Sequence, residues 1–140
     1  MKIKSYKTGV VSLPREAGPL TGGLGDGKSS TSDFVTIKIQ SEDGTTGIGY
    51  AGFTSSVMLK PLKVTIDELL ELTINQDSER IDAITNNLYS IAGAGAPAGL
   101  LTRAIAGIDV ALWDLKGKFL NQPIYKLLGG AHNKVRTYAS

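Results

Sequence analysis

Three glycines, Gly47, Gly49 and Gly52, match by letter the Gly-x-Gly-x-x-Gly fingerprint of dinucleotide-binding loops. In that fingerprint a strand ends at the first glycine and a helix starts there, so that free backbone N–H groups meet a phosphate. Here the first two glycines fall within the return strand of a predicted hairpin, and residues 53–55 precede any helix. We therefore interpret the three glycines as a strand end and loop, not as a phosphate site.

Two lysine pairs have the Lys-x-Lys spacing of a pair of catalytic bases: Lys2 with Lys4, and Lys116 with Lys118. The first pair lies on a predicted strand at the start of the chain. The second lies in a predicted helix, where side chains two positions apart point in different directions. We interpret all four lysines as solvated charges and assign none of them a catalytic role.

Asp109, Asp114 and His132 are the remaining candidates for metal or acid–base chemistry. The two aspartates are separated by about 140° around a helix axis, so they cannot converge on one metal ion. Asp114 is spaced to pair with Lys118 at i,i+4, which indicates a structural role. His132 is the only histidine and has no ligand partner nearby in sequence. We therefore assign none of these three residues a catalytic or metal-binding role.

The composition is that of a globular chain, with 41% apolar and 20% charged residues in 140. The net charge of +2 and the scattered basic residues argue against nucleic-acid binding. The absence of cysteine excludes disulfides and thiolate metal sites. No signal peptide and no apolar run of membrane-spanning length is present, so we expect a cytoplasmic protein without a membrane partner.

Alternating apolar and polar residues predict three antiparallel strands. Residues 2–13 form the first, and Pro14 ends it. Residues 34–40 form the second, with Val35, Ile37 and Ile39 on its buried face. A turn at residues 42–44 leads into the third, residues 46–50. Residues 15–32 hold five glycines, and a loop of this length is usually functional or disordered.

Helical periodicity follows the strands. Residues 57–73 form one helix, in which Pro61 predicts a kink or a break because an interior proline costs about 3 kcal/mol. Asp77 and Ser78 are predicted to cap a second helix, whose buried face is Ile81, Ile84 and Leu88. A long helix from residue 100 to 119 has little polar surface and expects partners on more than one side. Its stripe is Leu101, Ala104, Ile105, Ile108, Ala111, Leu112, Leu115 and Phe119. A short helix after Pro123 ends at Gly129 and Gly130.

The stretch from Ala104 to Gly130 resembles the end of the N-terminal capping domain in the mandelate racemase and muconate lactonising enzyme branch of the enolase superfamily. That family has an "A-x-IDxALWDxxGK" helix that runs into a "QPxxxLLGG" turn, and its "GxxGxG" pattern is matched by Gly44, Gly47 and Gly49. The residues matching the helix and turn are Ala106, Ile108, Asp109, Ala111, Leu112, Trp113, Asp114, Gly117, Lys118, Gln122, Pro123, Leu127, Leu128, Gly129 and Gly130.

The resemblance implies an α+β fold, with a three-stranded antiparallel sheet followed by a helical bundle. Residues 1–131 would be the capping domain, and residues 132–140 a linker and the start of the first strand of a (β/α) barrel. It also implies a Mg²⁺-dependent lyase or isomerase, of the acid-sugar dehydratase or racemase type, that abstracts the proton α to a carboxylate. The family's metal ligands and bases lie on the barrel, so this segment alone is expected to bind no catalytic metal and to be inactive. The expected partners are a small carboxylate substrate, the barrel domain and further copies in a homo-oligomer.

In the resembling family two loops of the cap close over the barrel mouth and set substrate specificity. On this chain they correspond to residues 15–32 and 50–56. The substrate-binding residues implied are Leu20, Thr21, Leu24 and Lys28 in the first loop, and Tyr50, Phe53 and Thr54 in the second. Many relatives carry glutamate where Tyr50 stands, and a tyrosine favours mandelate racemase-like members. The polar and small residues around Lys28 suit a hydroxylated carboxylate such as an acid sugar. The alternative for each loop is an ordinary flexible connection.

A different class of function also fits the sequence. The chain could be a truncated fragment, or a stand-alone interaction module that binds partners through an uncovered apolar surface on the helix at residues 100–119.

Overall fold

The part of the chain that the computed structural model describes holds one antiparallel sheet of three strands, in the order β1-β2-β3. The described residues are 1–14, 31–52, 56–91, 93, 99–132 and 134–137. The strands are β1 (Ile3–Pro14), β2 (Thr31–Ser41) and β3 (Thr46–Gly52). The sheet predicted from alternation is confirmed. β2 begins earlier than predicted, because Thr31 and Ser32 pair with Pro14 and Leu13.

The alternation along β2 assigns one face of the sheet to the core. Val35, Ile37 and Ile39 are at most 1% exposed, whereas Lys38, between the last two, is exposed. The turn from β2 to β3 contains Gly44 at φ +88°, a conformation that favours glycine. Its amide donates to the Ser41 carbonyl at 3.0 Å, which closes the hairpin.

Four helices follow within the described residues: α1 (Ser56–Glu71), α2 (Ile81–Ile91), α3 (Gly99–Phe119) and α4 (Ile124–Leu127). Helices α1 and α3 pack on the sheet, and α2 and α4 pack on α3. The predicted α+β fold is confirmed. The fully buried large side chains at the centre are Ile3, Ile37, Ile39, Leu62, Ile66, Leu70, Ile84, Leu88, Ile105, Ile108, Leu112 and Leu115.

The apolar stripe of α3 lies in this core. Six of its eight predicted members are buried, Leu101 is half-buried and Phe119 is 42% exposed. The sheet and all three other helices among the described residues contact α3, so the prediction of partners on more than one side is confirmed. The interaction-module hypothesis needs an uncovered apolar surface on this helix. Most of the stripe is covered, whereas Val110 and Phe119 are 48% and 42% exposed, so this hypothesis stays a prediction.

Three local predictions need correction. Helix α1 is not broken at Pro61, because proline at the sixth helical position removes only one hydrogen bond near the first turn. The helix ends at Glu71 because Thr73 folds back, its hydroxyl donating to the Leu70 carbonyl at 2.7 Å. Asp77 and Ser78 do not cap α2. Asp77 accepts from the Glu79 amide at 3.2 Å and from the Met1 ammonium at 3.1 Å.

Among the described residues, none of the helices combines the length and the apolar character that a bilayer crossing requires. The short segment 134–137 is in neither a helix nor a strand.

Candidate functional site

Two connecting segments of the chain attach to one end of the sheet. Pro14, the last residue of β1, pairs with Thr31, the first of β2, and residues 15–30 connect them. Gly52, the last residue of β3, pairs with Phe34 at the same end, and residues 53–55 follow it. We call this end, marked by Pro14, Thr31 and Gly52, the loop end of the sheet.

Of the seven substrate-binding residues expected from the sequence, the structure places one. Tyr50 lies in β3, two residues before the strand ends, with 55% of its surface exposed. The other six lie outside the described residues: Leu20, Thr21, Leu24, Lys28, Phe53 and Thr54.

The ring of Tyr50 is held by a neighbour that the sequence did not single out. The ring centroids of Phe34 and Tyr50 are 5.8 Å apart and the rings meet at 77°, an edge-to-face arrangement. Such pairs contribute about 0.5–1.5 kcal/mol beyond the apolar area they bury. The pair could not be found from sequence, because it depends on the register between β2 and β3.

An open groove of about 870 Å³ lies along the sheet, mostly on its outer face, and its lining includes Val110 of α3. Its surface is mostly apolar, and the residues that line it include Lys7, Thr8, Val11, Leu13, Phe34, Thr36, Ile37, Lys38, Ile48, Tyr50 and Val110. A lining of this kind offers few hydrogen-bond partners to a sugar acid. We therefore do not assign the groove to substrate, although its lining residues Leu13, Phe34 and Tyr50 lie near the loop end of the sheet.

Strand β3 lies unusually close to α3, and this explains its glycines. A Cβ atom at Gly47 would stand 2.1 Å from the Ala111 carbonyl oxygen, and one at Gly49 would stand 2.4 Å from the Gly107 carbonyl oxygen. Gly107 in α3 is less crowded, because the nearest atom to its added Cβ would be Ile37 Cδ1, the end of a side chain, at 2.9 Å. The interpretation that Gly47 and Gly49 lie within a strand is confirmed. Their role is to let the backbones of β3 and α3 approach each other.

Two polar side chains of α3 also bind β3. The Asp114 carboxylate accepts the Ile48 amide at 2.7 Å, and Arg103 Nη1 donates to the Gly52 carbonyl at 2.7 Å. Lys118 pairs with Asp114 at 2.6 Å, as its spacing predicts. The contact with Ile48, 66 positions away, was not predicted. Helix α3 therefore fixes the strand that carries Tyr50, from Ile48 to its last residue.

The two lysine pairs do not converge on a site. Lys116 Nζ lies 5.3 Å from the centre of the Trp113 ring and donates to the Glu79 carbonyl at 3.3 Å, whereas Lys118 contacts Asp114. Lys2, just before β1, and Lys4, the second residue of β1, are both exposed. His132 is exposed as well.

Asp109 is a half-buried carboxylate on α3. Burial raises its pKa above the ordinary value of 3.8, and the negative charge of nearby Asp82 raises the pKa further. Two carboxylates are too few for a metal site here. Among the residues that the structure describes, no three His, Cys, Asp or Glu side chains are grouped so that they could hold a metal ion.

Comparison with known proteins identifies one family and relatives that resemble this chain. The profile of the family "Mandelate racemase / muconate lactonizing enzyme, N-terminal domain" matches residues 8–129. A D-galactonate dehydratase of Ralstonia pickettii is 38% identical over 107 residues, which are 76% of this chain and 27% of that protein.

Solved structures share the fold. The 3,6-anhydro-D-galactonate cycloisomerase of Zobellia galactanivorans superposes with a TM-score of 0.77 at 30% identity, over 95% of this chain and 33% of that one. The L-talarate/galactarate dehydratase of Salmonella typhimurium LT2, solved with Mg and L-lyxarohydroxamate, gives 0.76 at 25% identity, over 94% and 34%.

The chain thus spans about a quarter of the length of the curated relative it matches. The sheet, the long helix and the glycines that lie against that helix all fall largely within the matched residues. The chain belongs to the mandelate racemase / muconate lactonizing enzyme family of the enolase superfamily, as an N-terminal capping domain.

Proposed function

We propose that this chain is the cap of a Mg²⁺-dependent acid-sugar dehydratase or isomerase. The observation that carries the proposal is the loop end of the sheet. The two segments that correspond to the family's substrate loops attach there side by side, next to Tyr50. Membership of the family and the similarity to D-galactonate dehydratase support the choice of an acid sugar.

The reaction begins when a base removes the proton α to the substrate carboxylate, which leaves an enediolate. In a dehydration the β-hydroxyl then departs, and the resulting enol tautomerises to a 2-keto acid, so that one water is lost overall. In a racemisation a proton returns to the opposite face of the same carbon. The bases that perform these steps lie outside this chain in our proposal.

The described residues do not fit a Mg²⁺ site, because no group of three carboxylate or imidazole side chains is assembled among them. Mg²⁺ binds oxygen ligands in near-octahedral geometry. The ligands would therefore come from the barrel that we propose to follow residues 132–140. We assign no step to the metal on the residues of this chain.

The contribution of the cap is to contact the substrate and exclude water. Tyr50, Phe53 and Thr54 would contact it from the second segment. Leu20, Thr21, Leu24 and Lys28 would contact it from the first, with the Lys28 ammonium available to a carboxylate or hydroxyl group. Enclosing the reacting carbon strengthens the electrostatic interactions that stabilise the enediolate. We further propose that the complete enzyme is a homo-oligomer.

The test is an activity screen of the full-length protein that contains this chain, with Mg²⁺ and a panel of aldonates and aldarates. Formation of a 2-keto acid is followed by its semicarbazone absorbance, and α-proton exchange in D₂O is followed by NMR. We expect one acid sugar to be dehydrated or to exchange its α-proton, and the isolated 140-residue chain to do neither. The proposal is wrong if the full-length protein acts on none of them.

A matched pair of variants tests the role of the cap. Tyr50→Ala should raise KM or change the ranking of the acid sugars. Ile48→Ala, two residues earlier on the same strand and face, is 57% exposed and should leave both unchanged. Equal effects of the two variants would contradict a substrate contact by Tyr50.

A further inference from the structure

Phe34 occupies a central place at the loop end of the sheet. It lies on the middle strand, opposite Val11 of β1 on one side and opposite Gly52 of β3 on the other. The first connecting segment ends four residues before it, and the second begins directly after Gly52.

The ring of Phe34 contacts β3 at two points. It meets the Tyr50 ring edge to face, with the centroids 5.8 Å apart. It also lies over Gly52, where an added Cβ would stand 2.3 Å from its Cδ1 and 2.8 Å from its Cε1. One side chain of β2 therefore packs on both the exposed tyrosine and the last residue of the strand that carries it.

This contact limits where the Tyr50 ring can go. More than half of the Tyr50 surface is exposed, so little else restrains the side chain on its outer side. An unrestrained aromatic side chain would lose rotamer entropy on binding a ligand, and an ordered one has already lost it. A Tyr50 ring that Phe34 already orders would therefore bind a ligand more tightly, because it loses less rotamer entropy on binding.

We propose that Phe34 is a positioning residue that sets substrate affinity by holding the Tyr50 ring. The inference rests on the proposed function, because it requires Tyr50 to contact the substrate. Phe34 itself acts through Tyr50 and needs no contact with the ligand. Val11 of β1 lies opposite Phe34 in the pairing of β1 with β2 and lines the same groove, so it provides the matched control.

The kinetic test uses the full-length protein. Phe34→Leu keeps an apolar side chain but removes the ring, and we expect KM to rise about three- to tenfold, the range of an aromatic pair, with kcat changed less than about twofold. Phe34→Tyr keeps the ring and should restore KM. Val11→Ala should leave KM unchanged. Phe34→Met, of similar length, carries the same expectation as Phe34→Leu if the latter does not fold.

A double-mutant cycle shows whether Phe34 acts through Tyr50. In a Tyr50→Ala background, Phe34→Leu should no longer change KM, because the ring that it positions is gone. The proposal is overturned if the two effects are additive, if Phe34→Leu leaves KM unchanged, or if Val11→Ala raises KM as much.

A second readout does not depend on activity. In protein with labelled tyrosine rings, the Tyr50 resonance is assigned as the signal lost in Tyr50→Phe. Phe34→Leu should shift it, and Val11→Ala should not. If the Tyr50 signal shifts in Phe34→Leu but the full-length protein acts on no acid sugar, the ring contact exists and the proposed function is wrong. If the Tyr50 signal does not shift, the positioning role of Phe34 is overturned.

Discussion

Replacing Gly47 by alanine tests the claim that β3 and α3 are held together at backbone contact. The new Cβ atom would lie 2.1 Å from the Ala111 carbonyl oxygen, 2.6 Å from the Leu115 amide nitrogen and 2.6 Å from Leu115 Cβ. Ordinary contacts are 3.4–4 Å. None of these three atoms is the far end of a flexible side chain, so relief requires the strand or the helix to move by more than about 1 Å.

Overpacked cores typically lose about 1–3 kcal/mol, and more where the surroundings cannot yield. Because the Gly47 clash is with backbone on the central helix, we expect the Gly47→Ala variant to lose about 3 kcal/mol or more. The assay is urea unfolding followed by circular dichroism. With a slope of about 1–3 kcal/mol/M for a small domain, the midpoint should fall by about 1 M or more.

The matched control is Gly9→Ala, also a glycine within a strand without positive φ. Its nearest neighbour would be the Thr36 hydroxyl at 3.2 Å, which donates to the Gly9 carbonyl at 3.2 Å. Moving this hydroxyl would cost at most that one hydrogen bond, about 1 kcal/mol. Alanine also reduces the entropy of the unfolded chain, a gain of about 0.4–1 kcal/mol. Gly9→Ala should therefore stay within about 1 kcal/mol of the parent. If Gly47→Ala is no less stable than Gly9→Ala, the close contact of β3 with α3 does not exist in solution.

Two further substitutions probe α3. Urea unfolding should show that Asp114→Ala lowers the free energy of unfolding by about 1–2 kcal/mol more than Lys118→Ala does. Both variants lose the surface ion pair, but only Asp114→Ala leaves the Ile48 amide without its carboxylate. Equal losses would show that the amide contact does not stabilise the fold. The fold raises the pKa of Asp109, so ionisation of this carboxyl opposes folding. The stabilisation that the protonated carboxyl gives the folded state is fully present below pH 3.8, and it is lost as the pH rises through the raised pKa of the folded state. Asp109→Asn should therefore melt higher than the parent at pH 7 and lose this advantage in acid; an advantage that does not change with pH would contradict the burial argument.

The sequence predicted the elements whose pattern is local. The period of two along β2 and the buried stripe of α3 follow from which face each residue must present to the core, and the structure confirms both. A kink or a break at Pro61 was predicted from local chemistry alone. The break is wrong, because α1 continues through the proline from Ser56 to Glu71.

Contacts between distant segments could not be read in the same way. The hydrogen bond between the Ile48 amide and the Asp114 carboxylate joins residues 66 positions apart. The ring contact of Phe34 with Tyr50 depends on the register between β2 and β3. Of the predicted substrate contacts, only Tyr50 lies among the described residues, and for it the structure gives position and exposure. The assignment of the others stays a prediction.

The motif that makes this chain recognisable makes structural contacts in the part of the fold described. In "IDVALWD" the side chains of Ile108, Ala111 and Leu112 fill the core, and Asp114 binds a strand amide. The glycines of β3 are the counterpart of that helix, since their missing side chains leave room for its backbone. Motif and glycines therefore form one structural unit, which orients β3 and with it Tyr50. A fold can host many reactions, and function depends on the groups at its site. It follows that substitutions in the motif should change stability, whereas substitutions at the loop end of the sheet should change which acid sugar is bound.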